Sequence, residues 1–207
     1  MSLYRSRLPQ LAGGLFLTDA GLETDLIFNH KIEIREFAAH TLLPDKIGRA
    51  ALANYLRGFL RLADECDAGL ILDSQTWKAH AHWAPDLGSS PFELEAANRD
   101  AIRFISELRD EFSGNCRPIV LNGVIGPRGD AYSPKANVAA KEAEAYHAQQ
   151  IGWLADTQVD MITALTYTQS GEAIGVVRAA QKVGLPVVVS FTVETDGRLP
   201  TGEPLGD

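Results

Sequence analysis

The polar residues of this sequence that could do chemistry gather at the ends of short apolar runs. Asp19 closes the first run, Asp73-Ser74-Gln75-Thr76 the second, Asn122 the third, and Thr192 follows the last. Carboxylates, hydroxyls and amides collected in this way suit the binding of a small polar substrate. His80 and His82 stand in His-x-His spacing, which could hold a metal ion. The simpler reading makes them solvated loop histidines. His147 falls on an apolar helix stripe, where a histidine packs or caps. Two cysteines, Cys66 and Cys116, do not make a disulfide framework, and each reads as a structural thiol.

The elements that must position these residues are legible as alternating patterns. Apolar runs at 15–19, 70–73, 118–122, 161–165 and 187–191 read as buried strands. Helical patterns lie between most of them. Leu52, Tyr55, Leu56, Phe59 and Ala63 share one helix face. Ser90-Pro91-Phe92-Glu93 opens the next helix with a capping box and Pro at the first helical position. Its stripe is Leu94, Ala97, Ala101, Phe104, Ile105 and Leu108. A third helix carries Ala143, Tyr146, His147, Ile151 and Leu154. A fourth carries Ala173, Val176, Val177 and Ala180, and stops at Gly184 and Pro186.

Continuous apolar strands separated by amphipathic helices predict a parallel sheet covered by helices, either doubly wound or a (β/α)8 barrel. Asp19-Ala20-Gly21-Leu22-Glu23 is not the Gly-rich dinucleotide turn, which lowers the dinucleotide reading without excluding a doubly wound sheet. Strand-end polar residues would form the active face of a barrel. Five strand–helix units occupy most of the 207 residues, whereas a full barrel takes about 250. The expectation is therefore a single α/β domain over 1–207, a (β/α)8 TIM barrel truncated after about five βα units, with its C-terminal strands missing.

The formal charge of −8, with no Lys/Arg run, disfavours nucleic acid and anionic membrane surfaces as partners. No apolar stretch approaches the roughly 20 residues that span a bilayer, and the N-terminus lacks the apolar segment of a signal peptide. A cytoplasmic enzyme or binding domain is the expectation. An assembly of identical chains is left open.

Four segments, in order along the chain, carry a resemblance. They are Leu17-Thr18-Asp19-Ala20-Gly21-Leu22-Glu23-Thr24-Asp25-Leu26, Asn122-Gly123-Val124-Ile125-Gly126-Pro127-Arg128-Gly129, the stretch from Tyr146-His147 to Asp160, and Val189-Ser190-Phe191-Thr192-Val193 with Asp196-Gly197-Arg198-Leu199 and Gly202-Glu203. Together they resemble the N-terminal two-thirds of the homocysteine S-methyltransferase family. The resemblance implies methyl transfer to the thiol of homocysteine or a related acceptor, as in methionine biosynthesis, from an onium donor such as S-methylmethionine or a betaine. It also implies a zinc ion that stabilises the acceptor thiolate. The family's zinc cysteines lie in regions beyond this chain, so neither cysteine here is assigned to metal and the chain as given is expected to be inactive.

The resemblance further implies that Asp19, with the amides of Ala20 and Gly21, holds the amino-acid end of the acceptor. Thr76, Trp77 and Asn122 complete the expected substrate-binding set, with Trp77 offering an aromatic face to a cationic donor. Two departures stand out. Leu165 occupies the place of a family Glu that binds the acceptor amine, and leucine cannot accept a hydrogen bond. Either another carboxylate substitutes or the substrate differs. Asp73-Ser74-Gln75 replaces the usual start of the second-strand signature. Glu172, seven residues past Leu165, matches a helix position and is expected at the surface. Two alternatives remain: a metal-dependent hydrolase of amidohydrolase type using His80 and His82, and a barrel that binds an amino acid without catalysis.

Overall fold

The structure, a computed structural model, describes residues 1–112, 114, 117–131 and 138–206. Five strands form one parallel sheet in sequential order, β1 (Phe16–Thr18), β2 (Gly69–Asp73), β3 (Ile119–Ile125), β4 (Met161–Tyr167) and β5 (Val187–Phe191). The helices, in chain order, are a single turn α1 (Leu22–Thr24), α2 (Lys46–Glu65), a short α3 (Ala84–Leu87), α4 (Pro91–Glu111), α5 (Ala140–Ala155) and α6 (Ser170–Lys182). Every strand pairs with its sequence neighbours. Sequential order is that of a barrel wall, whereas a doubly wound sheet reverses direction at a switch point. The molecule is a curled half-barrel, the α/β architecture expected from the sequence.

Register explains which side chains face where. Leu70, Leu72, Ile119, Leu121, Ile125, Ile162 and Ala164 join Leu52, Leu56, Leu60, Ile102, Ile105, Ile151 and Val176 in one core between sheet and helices. Alternate positions, including Asp73 and Asn122, which stand side by side in the ladder, occupy the concave face. Two glycines permit close approach, one between helices and one within the sheet. A Cβ at Gly175 would lie 2.5 Å from that of Ala143, so α6 rests on α5 with nothing between them. A Cβ at Gly69 would strike the Phe16 ring at 2.4 Å.

Helix ends follow the local sequence. The capping box at Ser90 forms, with the Ser90 hydroxyl accepting from Glu93 N and the Glu93 carboxylate accepting from Ser90 N. Asp45 caps α2 by accepting from Gly48 N at 2.7 Å. Glu203, from the loop after β5, accepts from the backbone and the hydroxyl of Ser170 at the first turn of α6, each at 3.0 Å. At the opposite end of the strands, buried Asp160 accepts from the amides of Leu3, Tyr4 and Leu121. Arg5 donates to the carbonyls of Ala155, Thr157 and Val159. The N-terminal segment is thereby fastened below β4.

Two strands run further than the sequence suggests. β3 continues to Ile125, and β4 to Tyr167 through an irregularity between Ala164 and Tyr167. Asn122 therefore sits inside β3 rather than at its end.

Candidate active site at the C-terminal strand ends

A cavity of about 690 Å³ opens where β1 to β4 end. From β1 and the turn that follows come Asp19, Ala20, Gly21, Leu22, Glu23 and Thr24. From β2 and its loop come Asp73, Ser74, Gln75, Trp77, Lys78 and Trp83; Val124, Asp130, Leu165 and Thr166 add the β3 and β4 ends. Glu36 and Phe37 close one side. Gly21 has φ 68°, a left-handed conformation that turns the chain from β1 into α1. Thr166 also has positive φ, at 62°, on the cavity wall where β4 departs from regular pairing.

The floor is acidic. The side chains of Asp19 and Asp73 lie close enough to interact, and a hydrogen bond between them would need a proton on one, because two carboxylates are acceptors only. Burial is the main force pushing both carboxyl groups above the usual range, and for Asp73 the Asp19 charge adds to it. Asn122 Nδ2 donates to Asp73 Oδ1 at 2.7 Å, and Thr163 Oγ1 donates to Asn122 Oδ1 at 3.1 Å. The Tyr55 hydroxyl, from α2, reaches Asp19 and donates to Ala20 O at 2.6 Å. Glu23 is also pushed up, by burial first and by Asp19 second.

Aromatic rings and one cation form the side wall. Trp77 Nε1 points at Leu165 O at 3.4 Å. Lys78 Nζ lies 3.6 Å from the Trp83 ring centroid, 5.6 Å from that of Trp77, and donates to Glu36 O at 2.6 Å. Burial lowers the Lys78 ammonium, while Glu36, Asp130, Glu23 and Asp86 act against that shift. The loop carrying these rings is anchored from behind. Gln150 donates to Thr76 O at 2.9 Å, Asn98 donates to Ala79 O at 2.7 Å, and Gly126 N donates to Trp77 O at 3.0 Å. A Cβ at Gly126 would stand 2.5 Å from that same Trp77 oxygen, so only glycine fits there.

Of the residues singled out in the sequence, Asp19, Ala20, Gly21 and Trp77 line the cavity. Thr76 and Asn122 lie behind it. Thr76 is fully buried, donating to Val124 O at 2.6 Å and hydrogen-bonded to Ser74 Oγ at 2.7 Å. Asn122, 1% exposed, braces Asp73. Both act on the site through other residues.

Two expectations about polar side chains are corrected. Glu172 is buried, not superficial: its Oε1 accepts from Arg128 N at 2.5 Å and lies 2.9 Å from His147 Nε2, tying the loop after β3 to α5 and α6. His80 is buried too, with Nδ1 2.6 Å from the Tyr146 hydroxyl, and burial depresses its basicity. His82 is exposed. Neither histidine lines the cavity, so the His-x-His pair does not face a substrate. Asp73 is visible in the sequence as a strand-end polar residue and as part of the Asp73-Ser74-Gln75 departure, but neither signal gives it a role in the site. Glu23, Lys78 and Trp83 escape assignment because single residues in short turns and loops carry no periodic signal.

Cys66 is exposed at the end of α2, immediately before β2 and hence at the other end of the strands from the cavity. Cys116 lies outside the described residues. Among the described residues no group of three His, Cys, Asp or Glu side chains is placed to hold a metal ion, and no thiol lines the cavity. The described side chains at the cavity therefore do not fit a thiolate-rich zinc site. No helix among the described residues is long and apolar enough to cross a membrane.

A half-barrel of parallel strands with its cavity at their C-terminal ends defines a small-molecule site of the TIM-barrel type. Residues 16–207 match the family model of homocysteine S-methyltransferase, and the chain belongs to that family. Among solved structures it is similar to the homocysteine methyltransferase MmuM from Escherichia coli. The metallated form is 16% identical, with a TM-score of 0.77 over 96% of this chain and 70% of that one. The oxidized form is 15% identical, with a TM-score of 0.78 over 98% and 70%. The apo form gives 16% and 0.70, over 98% and 68%. At these identities the likeness shows the fold. No curated protein matches in sequence.

Proposed function

We propose that residues 1–207 are a single homocysteine-binding-type domain. Its cavity receives the amino-acid end of homocysteine, or of a related thiol acceptor, for methylation by an onium donor such as S-methylmethionine or a betaine. The observation that carries this reading is that one cavity brings together two carboxyl groups, Asp19 and Asp73, and the aromatic rings of Trp77 and Trp83. The carboxylates suit an ammonium group, and the half-buried rings, of which Trp83 already holds the Lys78 ammonium over its face, supply the aromatic surface for a cationic methyl donor. Family membership and the position of Asp19 at the end of β1 support the acceptor assignment.

In this reading Asp19 binds and orients the acceptor, with the Ala20 and Gly21 turn beside it. Trp77 and Trp83 shield the reacting groups from water. Zinc, in the family reaction, would supply a stabilised thiolate. Among the described residues none brings a thiol to the cavity, and none carries a zinc-dependent step. The 207-residue protein is expected to bind acceptor without turning it over, as a cytoplasmic protein acting on small molecules.

Calorimetric titration with L-homocysteine, alongside mass-spectrometric detection of methionine formed with S-methylmethionine or betaine, tests the proposal. Saturable acceptor binding supports it. Absence of binding overturns it, and rapid turnover would show that the thiol is activated by groups other than those assigned here.

A further inference from the structure

The floor of the cavity holds a feature that acceptor binding alone does not require. Asp19 follows β1 and Asp73 ends the adjacent parallel strand β2, and both side chains line the same cavity, close enough to interact. A hydrogen bond between two carboxyl groups needs a proton on one of them. Asp73 cannot swing away freely, because Asn122 Nδ2 grips its Oδ1 at 2.7 Å and Thr163 grips Asn122 in turn. Leu165, at the end of β4, offers no acceptor across the cavity. Gln75 supplies an independent sign of a ligand. It lies on the same wall, only 5% exposed, with Nε2 donating to Asp73 O at 3.0 Å and Oε1 buried without a hydrogen-bond donor. An unmet acceptor next to two carboxyl groups suits a ligand that brings several N–H donors.

We propose that Asp73 and Asp19 form one proton-sharing carboxyl pair that takes the ammonium group of the amino-acid acceptor, releasing the shared proton to solvent as the ammonium binds. The inference rests on the acceptor reading above and adds Asp73 as a second binding carboxylate. The balance is simple: the pair, carrying one proton and one negative charge, becomes two carboxylates around one R–NH3⁺, and one H⁺ leaves to the buffer. No bond to carbon or sulfur changes. Other charged or titratable groups surround the pair: Tyr55 from α2, Glu23 from α1, Lys78 from the β2 loop, Asp130 from the β3 loop and Glu36 from the 35–37 turn. Of these, Tyr55 stands beside Asp19 with its hydroxyl donating to Ala20 O, and Lys78 interacts with Glu23, Glu36 and Asp130. Burial disfavours two negative charges side by side, which favours holding one proton on the pair.

The test is calorimetric titration of wild-type protein in buffers of different ionisation enthalpy, which counts protons released. The probe is L-methionine, whose thioether does not titrate, and 4-(methylthio)butanoate is the analogue without the amino group. About one proton released per L-methionine bound at pH 6–7 is expected, with affinity rising roughly tenfold per pH unit in that range. Asp73→Asn should abolish both the release and the pH slope, leaving affinity near wild type at pH 6 and at least about tenfold weaker at pH 8. The wild-type measurement stands whether or not that variant folds well. Binding of L-methionine without proton release overturns the inference and leaves the acceptor reading intact, as does an Asp73→Asn protein that still releases the proton. Equal release by the analogue without an ammonium also overturns it. If neither L-methionine nor L-homocysteine binds wild-type protein, both proposals fall.

Discussion

Asp19 and Asp73 show how much one side chain's surroundings decide. Asp19→Asn preserves size and an acceptor oxygen but removes the charge that would pair with an ammonium. Hydrogen bonds to charged groups are worth roughly 1.5–3 kcal/mol, so acceptor affinity should fall by about ten- to 150-fold at neutral pH, with donor affinity changed less. Paired titrations of acceptor and donor would check this, and unchanged acceptor affinity in a folded variant would reduce Asp19 to a turn residue. The pair also has a stability consequence without ligand. Both carboxyl groups are raised, so between the unfolded value of about 3.9 and the raised folded values the native state holds more protons than the unfolded state. Their contribution to stability is complete at low pH and is lost as pH rises through the folded values. Each pH unit over which one extra proton is held is worth about 1.4 kcal/mol. Asp73→Asn should therefore unfold at higher urea than wild type at pH 8 and lose that advantage near pH 4. The opposite order would mean that Asp73 is ionised and well paired in the native protein.

At the scale of elements, the site depends on loops that helices hold from behind. α4 and α5 reach the β2 loop through Asn98 and Gln150, while α5 and α6 reach the β3 loop through His147 and Glu172. The seating of α6 on α5 therefore bears on the cavity. Gly175→Ala puts a methyl group 2.5 Å from Ala143 Cβ and 2.6 Å from Glu144 N, neither of which is the free end of a flexible chain. Overpacking of this kind costs about 1–3 kcal/mol, and a urea midpoint shift of that size is expected. Gly152→Ala is the control. Gly152 lies on α5 with open space around its would-be Cβ, so the same change there should be neutral or slightly stabilising.

Across the whole molecule, the sheet is curled but open, and its lower end is closed by the chain's own N-terminus. Asp160 joins the amides of Leu3 and Tyr4 to that of Leu121 on β3. Asp160→Ala would strand donors that span most of the sequence, and on the order of 3 kcal/mol of stability should be lost. Amide exchange at Leu3 and Tyr4 should accelerate in the variant. Protection equal to wild type would show that Arg5 and its three carbonyl partners suffice to hold the segment.

Five strands, their parallel sense, the four long helices and the capping box at Ser90 were legible in the sequence. Each rests on local patterning, a run of apolar residues or a cap at fixed spacing, which the chain expresses whatever packs against it. The positions of Asp19, Gly21 and Trp77 near a strand-end site were legible for the same reason, together with the ordered motifs shared with the family. Tertiary structure alone decided the rest. Glu172 and His80 carry the polarity of surface residues, yet both are buried: His147 and the Arg128 amide meet the Glu172 carboxylate and Tyr146 meets His80 Nδ1, while His80 Nε2 has no partner among the described residues. Asn122 reads as a strand end but lies within β3, where it braces Asp73. Asp73 and Asp19 are 54 positions apart in the sequence. Only the sheet sets these two strand ends side by side and shields both carboxyl groups enough from water to push them up.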